Sequence, residues 1–183
     1  MEDTEKVIFV KTYRIDNRTV NIGDTLLPQN QYQSKLEDVK KSIEEILEEH
    51  RPKEKPARHS ILMLFPDFIA ARNHWVKQKE AKFYRTKVSE SNILHKGDYM
   101  LVEQIYGAIM KKEEDKAKDL ALSYWEGKMS ANPIVELFVK EAVVEKLISD
   151  SEEQRKHELK IKHSAALGGF TPDKKIPRVT DDE

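Results

Sequence analysis

An α+β chain is expected, and three observations point to it. Short apolar or alternating runs at residues 7–14, 60–65 and 82–88 read as strands. Their spacing is uneven, so the regular strand–helix alternation of a doubly wound nucleotide fold is not indicated. From Gly97 onward, apolar stripes at helical spacing follow one another. The 183 residues correspond to about one domain at roughly 150 residues each. We expect that domain to span residues 1–167, with a helical extension from about 99 to 167.

Taken in order, VIFVKTYR at 7–14 is rich in β-branched and aromatic residues and holds no breaker. Residues 15–33 read as a long loop, with Gly23-Asp24 as a turn signal and Pro28 resisting regular structure. Leu36, Val39, Ile43, Ile46 and Leu47 form one helical stripe over 35–49, and Ser34 with Glu37 fits a capping box. Pro52 to Pro56 is a charged linker. SILMLF at 60–65 is wholly apolar after Ser60 and is bounded by Pro56 and Pro66, so it reads as a buried central strand. Phe68, Ala71 and Trp75 return to helical spacing over 67–79. KFYRTKV at 82–88 alternates as a half-exposed strand does.

Beyond Gly97, Leu101, Ile105, Ala108 and Ile109 mark one helix, and Ala117, Leu120, Ala121 and Tyr124 a second. A third is expected over Ile134, Leu137, Phe138, Val144 and Ile148, with Asn132 as N-cap and Pro133 at its first turn. Residues 151–166 extend it as a polar helix. The stretch 168–183 has a Gly-Gly start, two prolines and scattered charge, and is expected to be a disordered tail.

Composition removes several function classes. The chain has no cysteine, so disulfides, thiolate metal sites and a cysteine nucleophile are excluded. Lys plus Arg number 32 against 33 Asp plus Glu, and this balance argues against a dedicated nucleic-acid surface. Lys82, Arg85 and Lys87 offer basic charge on one strand, but no aromatic interleaves with them as a stacking platform needs. The acidic N-terminus and the lack of a long apolar run point to a soluble, cytoplasmic protein with no membrane partner. The six histidines do not fall at ligand spacing, so no metal is expected.

Three polar residues stand at the edges of apolar elements. Arg14 ends the first strand, Ser60 opens the apolar run, and Asp98 follows Gly97 at a helix start, where an N-cap is the simplest role for it. Spacing alone does not join them.

Tyr13-Arg14 followed by IGDTLLP at 22–28, SILMLF running into PDFIAARNHW, and FYRTKV at 83–88 resemble small bacterial ADP-ribosyltransferases of the rifampin-modifying type. A second resemblance covers about residues 7–130. It rests on EEHR at 48–51, PARHS at 56–60, Phe83-Tyr84-Arg85, Asp98 and ALSYWEG at 121–127. These motifs are similar, in this order, to an uncharacterised bacterial and phage domain family with an ADP-ribosyltransferase-like fold. The resemblance implies a split-sheet α+β core with an NAD cleft between two strand sets, followed by the helical C-terminal half. It implies Arg14 on the adenosine-side ribose, Ser60 shaping the nicotinamide pocket, and Tyr13 or Tyr84 as a wall. Asp98, with Glu103 as its rival, becomes the acid that stabilises positive charge at the anomeric carbon. NAD is the implied co-substrate and an unidentified protein or other macromolecule the acceptor. The alternative is a non-catalytic interaction module on the same scaffold.

Overall fold

A computed structural model describes residues 7–29, 38–167, 172 and 175–181. Its described elements run β1 (Phe9–Asp16), β2 (Thr25–Leu26), α1 (Asp38–Glu49), β3 (Leu62–Leu64), α2 (Phe68–Trp75), β4 (Lys82–Ser89), β5 (Ile93–Asp98), α3 (Tyr99–Met110), α4 (Glu114–Trp125), β6 (Val135–Val139), β7 (Ala142–Ser149) and α5 (Glu152–Leu167). The α+β class is as expected.

The strands make two antiparallel sheets, one in the order β1-β4-β7-β2 and the other β3-β6-β5. They meet edge to edge at one point. Tyr13 of β1 donates its N–H to the Phe65 carbonyl at 2.8 Å, and Phe65 returns the bond at 2.9 Å.

Strand alternation sorts the side chains into layers. On β3 and β6, Leu62, Leu64, Leu137 and Val139 point between the sheets, where they meet Tyr84, Val88 and Val144. Phe138 and Met63 point the other way, into the layer formed by α1, α3 and α4. On the far side of the first sheet, Tyr13 and Phe83 pack with Trp75 of α2 and with Val179. Each layer buries one apolar face per element, which is what these amphipathic elements require.

The helix termini follow from local chemistry. Asp67 caps α2 by accepting from the Ala70 N–H at 2.7 Å, and Asp98 caps α3 by accepting from Met100 N–H at 2.9 Å. The turn after α4 uses Gly127 at φ 73°, a left-handed conformation that other residues adopt only with strain.

Several expectations are corrected. The segment 134–148 holds strands β6 and β7, one in each sheet, and is not a helix, so the C-terminal half is mixed rather than helical. Its β-branched residues Val135, Val139, Val143 and Val144 fit pleated faces, and the helical spacing of its apolar positions is coincidental. The run 60–65 is not the central strand. Arg58–Ser60 forms a 3-10 turn, and β3 is an edge, with β6 at the centre of its sheet. Residues 93–98, just before the expected helical run, form strand β5.

The segment 175–181, expected to be disordered, is partly docked. Val179 is 2% exposed, and its N–H donates to Glu158 at 2.9 Å. The rest of the expected tail apart from Pro172, and the Ser34–Glu37 capping box, lie outside the described residues.

Candidate functional site

The seam between the sheets gathers charge. Arg14 points from β1 toward β3, and its guanidinium donates to the Met63 carbonyl at 2.9 Å and to Asp16 at 3.1 Å. Asp16 also accepts from Arg18 side-chain nitrogens at 2.9 and 2.8 Å. Burial opposes ionisation of Asp16, but the hydrogen bonds from Arg18 and the charge of Arg14 outweigh it and hold the carboxyl down at about 2. Two guanidinium groups thus share one carboxylate, which leaves this corner cationic.

A row of rings leads away from the corner. His74 of α2 lies 5.2 Å from the Phe65 ring and 5.7 Å, edge-on, from the Tyr99 ring. Glu103 stands one turn after Tyr99 on α3, hence on the same helix face, and is exposed. Burial and then the charge of Lys77 push the His74 pKa down, and Arg14, Glu103 and Glu136 also act on it electrostatically. Arg14 and Glu103, far apart in sequence, are therefore both within electrostatic range of one histidine, as Glu136 is.

The other sequence-derived residues have their own engagements. Asp98 is fully buried, and its carboxylate accepts three backbone N–H bonds: Met100 at 2.9 Å, Ser130 at 2.7 Å and Ile134 at 3.0 Å. This is the capping role, extended into a clamp on the loop before β6. The Ser60 hydroxyl is exposed and donates to the Ala57 carbonyl at 2.8 Å, closing the 3-10 turn. The Tyr84 hydroxyl donates to the Arg18 carbonyl at 2.9 Å and accepts from Val20 N–H at 3.2 Å, so it fastens the loop after β1. Tyr13 points to the opposite face of β1 from Arg14 and donates to Asp181.

A second, buried cluster went unnoticed in the sequence. Arg58 donates through Nε to Glu44 at 2.9 Å and through a terminal nitrogen to Glu136 at 2.9 Å. The Tyr124 hydroxyl accepts from Arg58 at 2.5 Å and donates to Glu136. The guanidinium also lies 5.3 Å from both the Tyr124 and Phe138 ring centres. Burial opposes the charge on Arg58, yet Tyr124, Glu136 and Glu44 together keep its pKa well above the ordinary value. Gly97 makes room for Tyr124: a Cβ there would lie 2.6 Å from the ring. The signal that could have found this cluster is a carboxylate in the register of Phe138 within VELFV, an inward position that needs a buried cation.

Beside the cluster, His95 is enclosed by the rings of Tyr124, Trp125 and Phe138 at 5.1–5.4 Å. Burial, then Lys55, holds its pKa down to about 4, and its Nε2 has no hydrogen-bond partner among the described residues.

Among the described residues, no group of three or more His, Asp or Glu side chains could hold a metal ion. Nor is any described helix long and apolar enough to cross a membrane. No protein-family model matches the chain, and the comparison with curated proteins finds no match.

Proposed function

We propose that the chain binds NAD at the seam between its two sheets and acts as an ADP-ribosyltransferase on a macromolecular acceptor. The observation that supports this reading is a cationic corner of Arg14 and Arg18 and, within electrostatic range of Arg14 and Glu103, the His74 ring set between those of Phe65 and Tyr99. A dinucleotide needs those features: cations for its pyrophosphate, flat apolar faces for its rings and one carboxylate. Departure of nicotinamide builds positive charge on the anomeric carbon, and a carboxylate fixed near that carbon stabilises it. Glu103 is the acid in this reading, because its carboxylate is open to a ligand. Asp98 is set aside for it, since three backbone amides already occupy its oxygens.

The first measurement is thermal unfolding with millimolar NAD, in parallel with nicotinamide release. Binding at about 100 times the Kd stabilises the native state by roughly 2.7 kcal/mol. Arg14→Ala should abolish that shift. Glu103→Gln should keep it and lose about two to three orders of magnitude in turnover. No shift and no nicotinamide release would overturn the reading.

A second reading, an interaction module without catalysis, is favoured by one feature. An open groove of about 740 Å³ runs between α1 and the α3–α4 turn, with Ile46, Ile109 and Ala117 among apolar residues and Glu45, Lys112 and Lys118 among charged ones. A stable complex that survives Arg14→Ala but is lost on Ile46→Asp would support it.

A further inference from the structure

The outer face of the first sheet carries an anion site that the chain itself fills. In the β1–β4 register Lys11 pairs with Lys87 and Tyr13 with Arg85, so these four side chains share one face with Phe9. Segment 175–181 lies over part of that face. It is held by Val179 in the core, by Arg178 donating to Glu158 at 2.7 Å and by Gln154 donating to the Pro177 carbonyl at 3.1 Å.

Its Asp181 carboxylate sits among the cations. One oxygen accepts from Lys11 Nζ at 2.8 Å and from the Tyr13 hydroxyl, while the other lies 3.8 Å from an Arg85 nitrogen. The carboxylate fills the site incompletely. Arg85 Nε and the second Asp181 oxygen are both buried and lack a hydrogen-bond partner among the described residues. Glu145 lies 3.6 Å from both Arg85 and Lys87, so it balances part of this charge without bonding to Arg85 Nε. With Asp181 seated, three cations face two carboxylates; with it withdrawn, they face one.

A phosphate group presents more acceptor oxygens than a carboxylate and would reach Arg85 as well as Lys11 and Tyr13. The same face offers a ring. Phe9 is 58% exposed, and Lys87 Nζ lies 5.5 Å from its centre. Lys82, Arg85 and Lys87 are the cations that the sequence alone groups on this strand, with no aromatic among them. The register reverses both points. Lys82 pairs with Asp16 on the other face, and Phe9 and Tyr13 stand beside the remaining cations.

We infer that Phe9, Lys11, Tyr13, Arg85 and Lys87 form a binding surface for single-stranded nucleic acid, with Asp181 seated in its central phosphate position as an internal competitor. Phe9 stacks on a base, Lys11, Arg85 and Lys87 contact backbone phosphates, and segment 175–181 must lift for the strand to bind. The surface lies on the opposite face of β1 from Arg14, so this inference stands apart from the NAD reading.

The test is fluorescence anisotropy with a labelled oligothymidylate of about 12 nucleotides at low salt, an estimate that lets a strand span several phosphate contacts. Asp181→Asn keeps the shape of the side chain and removes its charge, and should bind several-fold tighter than the wild type. On that background Phe9→Ala should lose about fivefold or more, the low end of base–aromatic stacking. Lys87→Ala should reduce the slope of log K against log salt by about 0.7, one single-strand phosphate contact. A chain ending at residue 174 releases the same site if Asp181→Asn does not fold. Three results would overturn the inference: no gain on release of Asp181 in either variant, binding indifferent to Phe9 and Lys87, or an acidic phosphopeptide that binds the released protein more tightly than the oligonucleotide.

Discussion

Asp98 shows how much one side chain can hold in place. Its Oδ1 accepts from Met100 and Ile134 and its Oδ2 from Ser130, so one carboxylate ties the start of α3 to the loop that leads into β6. Asp98→Ala leaves three backbone donors without their acceptor and should cost about 3 kcal/mol in urea unfolding. Asp98→Asn keeps an acceptor for Met100 and Ile134, but its amide nitrogen then faces the Ser130 N–H. It should cost about 1–2 kcal/mol, although Asn and Asp are near-equal caps in general. Equal stability of Asn and Asp at this position would mean that the Ser130 bond contributes nothing. His95 makes the pH prediction. Its pKa is about 4 in the folded chain against about 6.5 unfolded, so between those values the unfolded chain binds more protons. Stability is therefore full above pH 6.5 and is lost as pH falls toward 4. His95→Phe keeps the aromatic packing and removes the titration. The stability of the variant relative to the wild type should rise between pH 7.5 and pH 5, and an unchanged difference would place the pH dependence elsewhere.

The Arg58 cluster binds α1, the turn before β3, α4 and β6 into one unit. Removing one partner of a buried pair is costly because the other charge stays buried alone. Arg58→Ala should lower stability by about 3–5 kcal/mol, measured by chemical unfolding. A loss below about 1 kcal/mol would show that water reaches Glu136 in its place. Legibility differed by element for reasons that can be named. The strands at 9–16 and 82–89 and helices α1, α3 and α4 were readable, because each shows its periodicity within one segment. The segment that holds β6 and β7 was not. Ile134, Leu137, Phe138, Val144 and Ile148 happen to fall at helical intervals, and Asn132-Pro133 imitates a helix start. The density of β-branched residues was the better guide there. Of the candidate site, Arg14 was legible as a polar residue at the end of an apolar strand, and Glu103 only through the resemblance, as a rival to Asp98 for the acid. His74 and Tyr99 were not, because only the meeting of α2 and α3 gives them a shared location.

At the scale of the molecule, helices cover one face of the β3-β6-β5 sheet, the second sheet covers its other face, and α2 and Val179 lie beyond that. Segment 175–181 therefore closes a core layer. A chain ending at residue 174 exposes the pocket of Val179 and loses about 2 kcal/mol of apolar burial. Its Tm should fall by roughly 4–8 °C in a thermal melt. An unchanged Tm would show that the segment rests on the sheet without stabilising it. The placing of β6 and β7 in different sheets has a different kind of consequence. Among the described residues β6 joins β3 to β5, and β7 joins β4 to β2. During synthesis, a nascent chain that has emerged only to Gly127 can pair β1 with β4 and little else. Its helices have no finished sheet to pack against, and the edges of β3 and β5 stay open. Protease resistance of ribosome-bound chains should accordingly appear in one step, after Ser149 has cleared the exit tunnel. Until then, the order of translation leaves most of this protein waiting for its last two strands.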